Sequence, residues 1–119
     1  MSWDIEYTDE FGAWWGTLDD AEQASVGACV GLLEERGPQL GYPHSSGITT
    51  SRHAHMRELR VQYRGRPYRV LYVFDPRRVA ILLIGGDKTG NDRWYEAFVP
   101  VADRLYDEHL TTLRREGLI

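Results

Sequence analysis

A chain of 119 residues is long enough for one domain with a buried core and too short for two, so residues 1–119 are read as a single domain. With 42% hydrophobic and 27% charged residues, and no apolar run near the roughly 20 residues that span a bilayer, neither a disordered nor a membrane-spanning chain is expected. The net charge of −4 argues against nucleic acid as a whole, yet from Arg52 to Arg93 ten basic residues stand against four acidic ones, enough local positive charge to attract phosphates.

The N-terminus, Met-Ser-Trp-Asp-Ile-Glu, lacks a basic segment followed by an apolar one, so no secretory signal is expected and the location expected is cytoplasmic. Trp3, Ile5 and Tyr7 alternate with Asp4 and Glu6, the pattern of a half-buried strand. Thr8 is placed to cap a short helix carrying Phe11, Trp14, Trp15 and Leu18 as one apolar stripe. Asp19 and Glu22 form a capping box for a second helix presenting Val26, Val30 and Leu33, which stops at Gly37-Pro38. Two antiparallel helices packed on a sheet follow from this. The lone Cys29, among Val26, Ala28 and Val30, reads as a small buried thiol.

Pro38 to His55 is rich in breakers and long for a loop, which favours a functional role. It holds His44, His53 and His55, but the His-x-His pair has no further ligand set beside it, so acid/base work or phosphate contact by His53 or His55 is the better reading than zinc. Leu59, Val61 and Tyr63 then alternate with Glu58, Arg60 and Gln62, giving a strand with one core face and one wet face. Arg64-Gly65-Arg66-Pro67 turns the chain, and a strand from about Tyr68 places Arg69 with Leu71 and Val73 on one face and Tyr68, Val70, Tyr72 and Phe74 on the other. Asp75-Pro76-Arg77-Arg78 fits a turn, and Val79 to Ile84 is apolar throughout, as a strand covered on both faces should be. Gly85-Gly86-Asp87 breaks that strand and leaves Lys88 just past its end. Asn91 or Asp92 can cap a last helix with Trp94, Tyr95, Phe98, Leu105, Leu110 and Leu113, which Pro100 starts or kinks. The fold class is α+β: N-terminal strand, two-helix hairpin, antiparallel three-stranded meander, C-terminal helix.

At Glu58-Leu59-Arg60, Tyr68-Arg69-Val70-Leu71-Tyr72 and Leu82-Leu83-Ile84-Gly85-Gly86-Asp87-Lys88, with Gly37-Pro38-x-Leu40-Gly41 and Ser51-Arg52-His53 before them, the chain resembles the RelE/ParE superfamily of type II toxins. It looks most like the HigB-like, phage-derived branch. The resemblance implies a RelE-like fold and an endoribonuclease that cleaves mRNA, in most members on the ribosome, neutralised by a cognate antitoxin, here of the helix-turn-helix type. It also implies roles for Arg69, for Arg60 at the end of the Leu-Arg motif, for Lys88 beyond the last strand and for Tyr95. Where RelE carries lysines before its Leu-Arg motif this chain has Met56 and Glu58, so Arg57 and the loop histidines come into consideration as acid/base groups.

Attack by a 2′-hydroxyl needs that hydroxyl deprotonated, charge on phosphorus stabilised and the 5′-oxygen protonated. Guanidiniums suit the second task, so Arg60 and Arg69, helped by Lys88, are expected to hold the phosphate, and with that charge supplied no metal or cofactor is called for. No proton-transfer partner is evident in the strands, which leaves Tyr95, if neighbouring cations lower its pKa, and His53. Arg52, His55, Arg57 and Arg93 are the further candidate RNA contacts, and Trp94 or Tyr68 can stack a base or pack in the core. A ParE-like gyrase poison and a non-catalytic RNA- or ribosome-binding module are the alternatives.

Overall fold

Local hydrogen bonds fix the first elements of the structure, a computed structural model that describes residues 2–119. Strand β1 (Ile5–Tyr7) runs into Thr8, whose hydroxyl accepts from the Phe11 amide (3.0 Å) and caps helix α1 (Asp9–Gly16). Helix α2 (Asp20–Arg36) starts on a full capping box: the Asp19 carboxylate accepts from the Glu22 amide (2.8 Å), and Glu22 Oε1 accepts from the Asp19 amide (2.9 Å). At Gly37 the chain leaves the helix with φ of +58°, and a Cβ there would lie 2.4 Å from the Trp3 ring, so backbone and packing both require glycine. These boundaries agree with the sequence expectation.

Five strands form one sheet in the order β1, β5 (Ala80–Asp87), β4 (Arg66–Phe74), β3 (Arg57–Tyr63), β2 (Ser45–Gly47). The antiparallel β3-β4-β5 meander is as expected, with β1 added parallel to β5. Arg64 and Gly65 turn the first hairpin with φ of 49° and 77°, the two-residue turn whose twist matches its strands. Strand β4 begins at Arg66, earlier than expected, because Pro67 contributes only its carbonyl, which accepts from the Lys88 amide (3.0 Å). Strand β2 lies inside the stretch expected to be irregular; its Ser45 is buried and hydrogen-bonded to the Tyr72 hydroxyl (2.6 Å), a tie no local pattern announces.

The helical hairpin covers one face of the sheet and helix α3 (Trp94–Arg115) the other. Parity in β4 divides the core: Tyr68, Val70 and Tyr72 meet Phe11, Val26 and Leu33, while Leu71 and Val73 meet Val99, Ala102 and Leu105. Cys29 is buried on the hairpin side, where burial pushes its thiol up to about 11 and leaves it inert. The expected wet face of β3 is corrected at Glu58, which is only 4% exposed because α3 lies over it. Asn91 Oδ1 accepts from the Arg93 amide (3.0 Å) and shapes the approach to α3, which runs through the exposed Pro100 without a break.

A register shift between β4 and β5 pairs Leu71 with Ile84 but Tyr72 with Leu82, leaving Leu83 as an inserted residue. The insertion reverses parity beyond it. A Cβ on Gly85 would lie 2.3 Å from the Trp14 ring of α1, and one on Gly86 2.6 Å from Trp94 Nε1 of α3. Lys88 therefore comes out on the α3 side. Gly86→Ala is expected to destabilise the fold by about 1–3 kcal/mol in urea denaturation through overpacking against the buried Trp94. Gly31→Ala, with open space at its Cβ in α2, is expected to be neutral or stabilising.

The turn after β4 is held by Asp75, buried and 2.9 Å from His109 Nε2 of α3 and 2.8 Å from Arg77 Nη2. Burial works to raise its carboxyl pKa, but the bonds from His109, Arg77 and the Val79 and Arg77 amides outweigh it and hold the pKa below the usual range. A lowered folded-state pKa contributes stability that is complete above the unfolded value of about 3.9 and is lost as pH falls through the folded one. Asp75→Asn is expected to lower the urea midpoint at pH 6 and to flatten its decline below pH 4.

Candidate active site

The β3–β4 register sets Arg60 directly opposite Arg69, and the β4–β5 register sets Arg69 opposite Gly86, so both guanidiniums and the bare glycine lie on the α3 face. Two arginines facing each other across strands repel, and Glu58, two residues before Arg60 on the same face, answers that repulsion. Its Oε1 is 3.3 Å from Arg69 Nε and accepts from the Tyr95 hydroxyl (2.6 Å); its Oε2 is 3.3 Å from Arg60 Nη1 and accepts from the Ser46 hydroxyl (2.6 Å). Arg69 Nη1 donates to the Tyr68 carbonyl (3.0 Å), and Arg69 is only 5% exposed. The ion pair is therefore desolvated, and no fully buried side-chain nitrogen or oxygen among the described residues lacks a hydrogen-bond partner, the condition under which a buried charge is tolerated.

Above this buried layer are the groups that reach solvent. Arg60 keeps 28% of its side chain exposed and lies with its guanidinium 5.2 Å from the centre of the Tyr42 ring. Tyr42 is 77% exposed. The Lys88 ammonium lies 5.5 Å from the centre of the Tyr95 ring and belongs to no ion pair among the described residues. Burial, and then the bond to Glu58, raise the Tyr95 pKa above its ordinary value, with Arg69 acting weakly the other way. The condition under which Tyr95 could serve as a base on its own, a pKa lowered by neighbouring cations, is not met: Tyr95 is a neutral phenol.

The structure thus brings Arg60, Arg69, Lys88 and Tyr95 together, but with Arg69 beneath the surface. It does not bring His53 to them. His53 Nε2 is 2.9 Å from Asp107, and its ring stands edge-on to Tyr106. Asp107 lies twelve residues, about 18 Å along the helix axis, from Tyr95. Arg52 also bonds Asp107 (2.6 Å), so these two pin the loop to α3 and are not near the cluster. His55 and Arg57 line a separate cavity, and Arg93 stands exposed just before α3. Trp94 and Tyr68, each 1% exposed, pack in the core and are not stacking surfaces; Tyr68 bonds Glu22 and its pKa is pushed up to about 12, chiefly by burial. Sequence reasoning missed Glu58, Ser46 and Tyr42. For Glu58 a signal existed: an acidic residue among arginines on a strand whose face a C-terminal helix must cover.

The architecture is that of RelE-type toxins. A double-arginine variant of the E. coli toxin RelE in its free state superposes with a TM-score of 0.57 over 82% of this chain and 95% of that one, at 13% identity. A chain of an archaeal RelE–RelB complex from Pyrococcus horikoshii OT3 gives 0.55 over 76% and 99%, at 15% identity. A family model described as phage-derived protein Gp49-like (DUF891) matches residues 13–107. The candidate toxin HigB3 of Mycobacterium tuberculosis (strain ATCC 25618 / H37Rv) is 42% identical over 100 residues, 83% of this chain and 86% of that protein. The candidate toxin HigB2 of the same organism is 40% identical over 104 residues, 86% of this chain and 52% of its own, so this chain spans about half of its length. The chain belongs to the phage-derived Gp49-like family, the HigB-like branch of the RelE-fold toxins. Among the described residues, no helix is long and apolar enough to cross a membrane.

Proposed function

We propose that this chain is the toxin of a type II toxin–antitoxin pair, a metal-independent endoribonuclease that cuts mRNA on the ribosome and is held in check by a helix-turn-helix antitoxin. The observation that carries this reading is the layered cluster on the α3 face: a buried Glu58–Arg69 pair holding the Tyr95 hydroxyl, beneath solvent-facing Arg60 and Lys88.

In the reaction this supports, Arg60 holds the non-bridging oxygens and stabilises charge as it builds on phosphorus. The 2′-oxygen bonds to phosphorus while its proton passes to the Tyr95 oxygen, whose own proton moves to Glu58 Oε1 along a 2.6 Å hydrogen bond. The bond to the 5′-oxygen breaks, Lys88 gives that oxygen a proton, and a 2′,3′-cyclic phosphate remains. Arg69 touches no substrate in this scheme; it positions Glu58. Tyr42, backed on one face by Arg60, offers its other face to an unpaired base.

Purified protein would be incubated with a defined mRNA on translating ribosomes and, in a second arm, free in EDTA, and the new ends mapped. Cut message bearing cyclic-phosphate ends is expected. Intact RNA at high protein concentration, or equal cutting by wild type and Arg60→Ala, would sink the reading, and a supercoiling defect in a gyrase assay with RNA untouched would select a gyrase poison instead.

A further inference from the structure

At the end of the sheet away from Lys88, the ends of β2 and β4 and the start of β3 border a cavity of about 640 Å³. Its walls include Trp3, Met56 and Phe74, with His55, Arg57 and Arg78 at the polar side and no acidic residue. Neither Arg57 nor Arg78 belongs to an ion pair among the described residues, and both line this cavity. Arg57 Nε donates to Ser45 Oγ (3.1 Å), which fixes the side chain at the cavity wall and leaves its charge unanswered. The Arg78 guanidinium rests 5.3 Å from the centre of the Trp3 ring, and Trp3 meets Phe74 edge-on at 5.7 Å. Arg78 itself is exposed, on a backbone turn clamped by Asp75, so its side chain can swing while its base stays fixed.

We propose that this cavity is a nucleotide-binding subsite: Arg57 and Arg78 take a phosphate, and the Trp3–Phe74 wall takes the attached base. Guanidiniums without a counter-ion beside two aromatic rings match the two halves of a nucleotide, whereas an acidic peptide would use the charges and leave the aromatic rings without a partner. Arg57 is three residues from Arg60 on β3, about 10 Å along the strand and by parity on the opposite face of the sheet, so an RNA held by both passes around the end of the sheet where β3 starts. This inference rests on the RNA reading above and extends it to a second position on the strand.

The test is amide-shift mapping on the full ¹⁵N-labelled chain with three probes: adenosine 5′-monophosphate, inorganic phosphate, and a 2′-O-methylated tetranucleotide that cannot be cut. The nucleotide and the RNA are expected to move the amides of Gly47, Thr49 and Ala54, and Arg78→Ala, exposed and so without effect on the melting temperature, is expected to weaken both roughly tenfold. RNA that moves residues around Arg60 and Lys88 but not these amides overturns the subsite and leaves the active-site reading standing; RNA that moves neither set overturns both. Inorganic phosphate binding as tightly as the nucleotide, or a glutamate-rich peptide binding more tightly than the RNA, overturns the assignment of the aromatic wall to a base.

Discussion

Glu58→Ala is expected to lower the melting temperature by on the order of 10 °C and to abolish RNA cleavage. Glu58 and Arg69 are each 6% exposed at the side chain, and removing the carboxylate leaves a guanidinium buried with only the Tyr68 carbonyl and the Tyr95 hydroxyl as partners. Breaking one side of such a pair costs about 3–5 kcal/mol, because the surviving charge has neither water nor a counter-ion. Removing both charges is different. A Glu58→Leu/Arg69→Met double variant is expected to recover most of the lost stability, since apolar groups of similar volume fill the space without a desolvation cost, and yet to stay inactive because Tyr95 has lost its proton acceptor. Thermal melts together with single-turnover cleavage of wild type, Glu58→Ala and the double variant separate the two roles. A double variant as unstable as Glu58→Ala, or one that cuts RNA, would contradict the account of the pair.

The opposite behaviour is expected of the outer groups. Arg60→Ala and Lys88→Ala should each slow single-turnover cleavage by about 10²–10³, the usual cost of removing one preorganised charge from a reacting phosphate. Their unfolding free energies from urea denaturation should change by less than about 1 kcal/mol, because both side chains reach solvent and their contacts are those of partly exposed groups. Arg60→Lys is expected to recover little, since an ammonium cannot hold two oxygens at once, while Lys88→Arg keeps the charge beside Tyr95 but is a poor proton donor. Cleavage rates that track stability across these variants would remove Arg60 and Lys88 from the chemistry.

Glu58 also changes how the site is understood. Arginines 60 and 69 appear in sequence as an equivalent pair of phosphate ligands, but one is at the surface and the other is a buried scaffold, and the carboxylate between them is what makes the difference. In the proposed reaction the final proton acceptor is Glu58, in β3 two residues before Arg60, and not a loop histidine. His53 is kept from the site by Asp107 and Tyr106, which use it to fasten the loop to α3.

The sequence alone determined whatever depends on neighbours a few residues apart: the Thr8 and Asp19 caps, the stop at Gly37, the alternation that divides β4 between two cores, and the Tyr-Arg strand with its following lysine. These are short-range effects of backbone hydrogen bonding and side-chain periodicity, and they were enough to fix the α+β order of elements apart from the edge strand β2. The tertiary structure alone decided what depends on which surface a distant element covers. Helix α3 turned a polar position of β3 into a buried carboxylate, Tyr72 drew Ser45 into an edge strand, and the inserted Leu83 shifted Lys88 onto the face of Tyr95. Each is a contact between residues far apart in the chain, where burial changes the cost of a charge by several kcal/mol and a single inserted residue reverses the facing of all that follow.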